Sequence, residues 1–160
     1  MRMGNWTQAM LCILLLGGAP AVHAQRGRPI RAQGVRALAF GTLLPGVSQP
    51  ILRTDPLRSG QFDVTGQKLS NVQLIFTLPG AMTGPAGAVL PLSFGGNDAG
   101  FSVSQSVASQ VGFDPRAPFL ATLSKNGRGS VFLGGTAQPV PAQRPGSYSG
   151  TVTLTVVYFP

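Results

Sequence analysis

The sequence predicts an all-β fold, an antiparallel β-sandwich, and three observations predict it. Apolar and polar residues alternate in short bursts, and no window of helix length shows a 3.6-residue period. The bursts are divided by turn residues, which explains why 22 Gly and 14 Pro occur in only 160 positions. About eight such segments recur roughly every ten residues, the spacing of a sandwich rather than of strand–helix units.

Taken in order, Met1 to Ala24 reads as a secretory signal peptide. Arg2 supplies the positive start, Ala9–Leu16 the apolar run, and Val22-His23-Ala24 the small-x-small cleavage site. The run is too short to span a membrane, which takes roughly 20 apolar residues. Cys12 lies inside it and lacks the small preceding residue of a lipidated cysteine. Gln25–Gly34 follows as a basic extension, and residues 35–160 make one sandwich domain.

Within the domain, Leu38-Ala39-Phe40 leads to Gly41, and Leu43-Leu44 is stopped by Pro45-Gly46. Val47–Leu52 contains Pro50, which confines it to a sheet edge. Gln61–Gly66 places Phe62 and Val64 on one face, and Asn71–Leu78 does the same with Val72, Leu74, Phe76 and Leu78. Ala81–Gly87 reads as loop. Val89–Phe94 and Phe101–Val107 are strands joined by the turn Gly95–Gly100, and Phe113–Pro118 is a further turn. Phe119–Leu123, Ser130–Ala137 and Ser147–Phe159 complete the set, with a hairpin signal at Asn126-Gly127. Phe40, Phe62, Phe76, Phe94, Phe101 and Phe132 are the expected aromatic core.

Composition also bounds the chemistry. The four acidic residues are all Asp, and the single His, Cys and Trp fall within the leader. After cleavage there is no His, Cys or Glu. That excludes disulfides, His/Cys metal sites, and Ser-His-Asp or Cys-His catalysis. The expectation is a protein that is not an enzyme, with no cofactor, no metal and no catalytic residue; the scattered Asp residues read as turn formers rather than calcium ligands.

The final segment is the sharpest signal. Tyr148, Gly150, Val152, Leu154, Val156 and Tyr158 fall on one face of a long strand, and such a strand must be paired on both sides or it invites association. Gly146 precedes Tyr158 by twelve residues with alternating apolar positions between. This arrangement resembles the C-terminal strand of secreted bacterial pilin-like domains: the spore coat protein U group, the archaic chaperone–usher pilins, and an uncharacterised secreted family. Leu38-Ala39-Phe40-Gly41, Phe62-Asp63-Val64-Thr65-Gly66 and Val131-Phe132-Leu133-Gly134-Gly135-Thr136 resemble that uncharacterised family in the same order.

The resemblance implies an immunoglobulin-like, pilin-like sandwich at the cell envelope or outside the cell: periplasmic, cell-surface or extracellular. Its role would be that of a fimbrial or coat subunit. Chaperone–usher subunits lack a final strand, which a periplasmic chaperone supplies first and another subunit's N-terminal extension replaces. Gly146, Tyr148, Val152, Leu154, Val156 and Tyr158 would then line the strand-exchange groove, and Arg26, Arg28, Ile30, Arg31 and Arg36 would belong to the donor arm, with Ile30 as its apolar plug.

Charge offers an alternative: an autonomous secreted sandwich that binds anionic cell-surface polymers. Four arginines within 26–36 make a basic arm on a chain of net charge +8. Nucleic acid is not expected for an exported chain, and no aromatic interleaves these arginines as base stacking would require.

Overall fold

A computed structural model describes residues 27–160. The expected signal peptide at 1–24, and Arg26, lie outside the described residues. The described chain forms β1 (Arg31–Arg36), β2 (Gln49–Ile51), β3 (Gly60–Thr65), β4 (Asn71–Thr77), β5 (Ala81–Thr83), β6 (Val89–Ser93), β7 (Ala99–Ser102), β8 (Val111–Phe113), β9 (Phe119–Thr122), β10 (Arg128–Leu133), β11 (Gly135–Ala137) and β12 (Thr153–Tyr158). The only helical turn among the described residues is a 3-10 turn at Pro85–Gly87. The fold is all-β, as the alternation predicts.

The strands pair antiparallel in three sheets: β1-β3-β10-β7-β8, β2-β11-β6-β5 and β12-β4-β9. The five- and three-stranded sheets face one another in a sandwich-like arrangement. Between them lie Val64, Val72, Leu74, Ala99, Phe101, Phe113, Ala121, Leu123, Val131 and Leu133. The period-2 pattern of β3 and β4 is what puts Val64, Val72 and Leu74 there. Phe113 and Phe119 stack with centroids 4.1 Å apart, closing the core at the β8–β9 turn. In that turn Arg116 donates two side-chain hydrogen bonds and one backbone hydrogen bond to Asp114, which holds its carboxyl down to about 2.

A second, smaller core of Phe40, Ile51, Leu90 and Ala137 lies against the four-stranded sheet, with Leu38, Leu43, Met82, Leu92 and Tyr148 around it. One continuous piece of chain joins the sheets. β10 is central in the five-stranded sheet, Gly134 is the corner, and β11 is inserted between β2 and β6.

Several elements differ from the sequence expectation, each for a stated reason. The basic extension is not separate from the sandwich: β1 crosses the expected 34/35 boundary and pairs with β3 from Arg31↔Thr65 to Arg36↔Gln61. Arg-Ala-Gln-Gly-Val-Arg has no apolar alternation to announce it, and main-chain pairing makes it a strand. Leu38–Phe40 is not itself a strand, although Leu38 and Phe40 reach the cores. Ala81–Thr83, read as loop, is a three-residue strand pairing with β6. Val111–Phe113 is a short strand with no signal of its own. The single strand expected over 130–137 divides at Gly134, and the 101–107 strand ends at Ser102. Pro50 does lie in an edge strand, since β2 is outermost in its sheet.

Candidate functional site

β12 pairs with β4 on one side, from Thr153↔Thr77 to Tyr158↔Val72, and is the outer strand of its sheet. β1 is likewise the outer strand of the five-stranded sheet. The two run alongside each other in opposite directions where the sandwich is open. At one end they are fastened. The Tyr158 hydroxyl donates to the Arg28 carbonyl at 2.5 Å and accepts from the Gln67 amide at 2.7 Å. Ile30, just before β1, packs on the main core.

Further along, the strands part. The β1–β3 register shifts between Gly34 and Arg36, a bulge that leaves Val35 exposed. The bulge places Arg36 opposite Gln61, and its guanidinium donates to the Ser59 carbonyl at 2.7 Å, the Pro56 carbonyl at 2.6 Å and the Ser59 hydroxyl at 2.9 Å. Beyond this point residues 35–40 diverge from residues 148–152, and a cleft of about 560 Å³ opens between them. Leu38, Phe40, Phe62, Met82, Leu133 and Val152 are among its apolar walls. It continues into a second cleft of about 670 Å³ beside Leu43, Leu90 and Pro139, and Leu38, Phe40, Met82 and Tyr148 border both. The result is one elongated, largely apolar groove.

The wall at 146–152 is held rigidly. Ser149 and Thr83 exchange two backbone hydrogen bonds, 2.8 and 3.0 Å. The Tyr148 hydroxyl donates to the Arg144 carbonyl and accepts from the Gln143 side-chain amide, each at 2.7 Å. Gly84 gives that ring its place, since a Cβ there would stand 2.5 Å from it. Gly146 has φ +144° and faces the Pro85 ring at close range, so its lack of a side chain serves both backbone and packing.

Of the residues the sequence assigned to a strand-exchange groove, Gly146, Tyr148 and Val152 border it. Leu154 and Val156 instead pack on the main core, and Tyr158 is the fastening at the closed end. The five residues of the expected arm are not gathered into one patch. Arg26 is outside the described residues, Arg28 contributes its carbonyl, Ile30 is half-buried, Arg31 is exposed in β1, and Arg36 is tied to Ser59 and Pro56. The opposite wall, Leu38, Phe40, Met82, Leu90 and Leu92, was not singled out as groove; nothing in a local apolar pattern tells a core position from one at an open mouth.

Tyr158→Phe is expected to lower stability by about 1 kcal/mol, since two hydrogen bonds at an exposed site are lost. Limited trypsin digestion should show the larger effect, faster cleavage after Arg31 once the leading segment is unfastened. Unchanged cleavage would mean that β1 is held by β3 alone.

The sequence model of a family described as a domain of unknown function, DUF4402, matches residues 46–158. The chain belongs to the DUF4402 family. No curated protein and no solved structure matches it. The match takes in β2 to β12, so one wall of the groove comes from the DUF4402 portion. Of the opposite wall, Met82, Leu90 and Leu92 also fall within the match, and Leu38 and Phe40 come from the segment before it. β1 also precedes the match.

Proposed function

We propose that this DUF4402 protein is an exported, non-catalytic structural or adhesive subunit that assembles, or is stabilised, by β-strand addition to its open groove. The observation that carries this reading is the apolar groove between the end of β1, an outer strand, with the residues that follow it, and the segment leading into β12. An extended segment laid there would gain main-chain hydrogen bonds from strand edges and place alternate side chains against Leu38, Met82 and Val152. The resemblance of Gly146 to Tyr158 to spore coat protein U and chaperone–usher pilins supports the same reading, as does the leader at 1–24. A related subunit, another copy of the chain, or a periplasmic chaperone would supply the strand. Absence of His, Cys and Glu after the leader supports a non-catalytic role.

The test is thermal unfolding and light scattering of residues 25–160 with a ten-residue peptide of alternating Val and Thr. At a hundredfold excess over Kd the peptide should stabilise the domain by about 2.7 kcal/mol. Val152→Lys, which puts a charge on the groove wall, should abolish that shift. A monomer at all concentrations whose unfolding ignores the peptide would overturn the proposal.

A further inference from the structure

Away from the groove, the outer face of the five-stranded sheet carries a cleft of about 720 Å³, lined mostly by polar and charged residues, between Val103–Gln105 and the Ser124–Arg128 turn. Strand register places its side chains. Arg31, Thr65 and Arg128 are cross-strand partners in one row across β1, β3 and β10. Gln33, Asp63 and Ser130 form the next row on the same face. Lys125 lines the cleft from the adjoining turn. Three cations therefore border one concavity, and none is in an ion pair among the described residues.

The chain has four carboxylates, and all are described. Asp55 is paired with Arg58 and Asp114 with Arg116, while Asp98 accepts the Gly95 amide. Asp63 is the one inside the cleft. Its Oδ1 accepts from the Ser130 hydroxyl at 2.8 Å and the Gln61 side chain at 3.3 Å, and its Oδ2 from the Gln105 side chain at 2.9 Å. A carboxylate has roughly four acceptor positions, so Oδ2 keeps one for an incoming donor.

We infer that this cleft is a binding site for an acidic polysaccharide, with sugar carboxylates held by Arg31, Arg128 and Lys125 and a sugar hydroxyl donated to Asp63. Guanidinium groups match carboxylates in a two-pronged fashion. Arg31 and Arg128 flank Thr65 at two strand spacings, roughly 10 Å, comparable to two pyranose rings end to end. No aromatic ring lines the cleft, which disfavours neutral sugars or bases held by stacking. Asp63 disfavours a uniform polyanion such as polyphosphate, because the carboxylate repels an unbroken row of negative groups. A polymer that alternates carboxylates with hydroxyls satisfies both signs. This inference is independent of the strand-addition reading.

Binding of the full mature chain to polygalacturonate, dextran and polyphosphate at low and high salt is the test. Polygalacturonate should bind best, dextran should not bind, and added salt should weaken the complex. Arg128→Gln should weaken polygalacturonate binding about tenfold, the loss of one charge-assisted contact, and Arg31→Gln with Arg128→Gln should abolish it. Arg144→Gln removes the same charge from an exposed residue outside the cleft and should leave affinity within about twofold. Asp63→Asn should narrow the preference over polyphosphate. Equal losses for Arg128→Gln and Arg144→Gln would overturn the site in favour of net charge alone. Polyphosphate binding as tight as polygalacturonate would overturn the polysaccharide assignment.

Discussion

Phe132→Ala is expected to destabilise the protein by about 3–5 kcal/mol, read as a lower denaturant midpoint with an unchanged slope. Phe132 is 0% exposed, yet strand alternation turns it away from Val131 and Leu133, which fill the main core. It lies on the outer face of β10, in a row that continues through Gly100 of β7 to Gly112 of β8. Those two glycines leave room for Arg53, whose Nε would stand 2.9 Å from a Cβ at Gly100 and whose Nη2 would stand 2.7 Å from one at Gly112. A ring and a guanidinium together seal that part of the sheet. Truncating the ring leaves a cavity on this row, near a guanidinium Nε that is buried and has no hydrogen-bond partner. A loss below about 1 kcal/mol would mean that this face is hydrated rather than packed.

Gly134→Ala should cost about 1–3 kcal/mol or more, although only one methyl group is added. At the corner where β10 becomes β11, a Cβ would lie 2.7 Å from the Arg53 amide nitrogen and 3.0 Å from the Leu52 carbonyl carbon, with the Ile51 carbonyl oxygen closer still. All three are backbone atoms in or just after β2, so relief requires moving a strand. The Gly134 amide also donates to the Asp98 carbonyl at 2.7 Å, which fixes the corner from the other side. Gly80→Ala is the matched control: nothing lies within 4 Å of its Cβ position, and its stability should hold within about 0.5 kcal/mol. Equal effects of the two substitutions would show that the corner is not tightly packed.

These sites also show how far the sequence could be read. Alternation in β3 and β4 announced itself because one face of each strand is wholly buried and the other is not. Val131-Phe132-Leu133 is buried on both faces, so its continuous apolar run carries no face information. The Gly134-Gly135 pair looks like a pause in a strand; only tertiary contact shows a corner between two sheets. β1 was least legible, since it is held by the main-chain edge of β3, where Arg31 pairs with Thr65 some 34 residues downstream, a tertiary pairing that its own composition does not announce. In the groove, Tyr148 and Val152 were found through the face they share with Leu154 and Val156. The separation of those four into wall and core depends on where β1 bends away, a property of Gly34–Arg36 rather than of the strand that carries them.

The Tyr158–Arg28 fastening has a consequence for how the molecule comes to be folded. It joins residues 130 apart in sequence, nearly the full length of the described chain. Loops of that span close late, because their entropy cost must be met before any contact within them is rewarded. Whatever order the inner strands follow, the segment at Arg28 leading into β1 cannot be fastened until the six residues of β12 have joined β4. A chain cut short before Thr153 would therefore lose both an outer strand and the anchor at Arg28, a built-in dependence of the segment before β1 on the completion of β12.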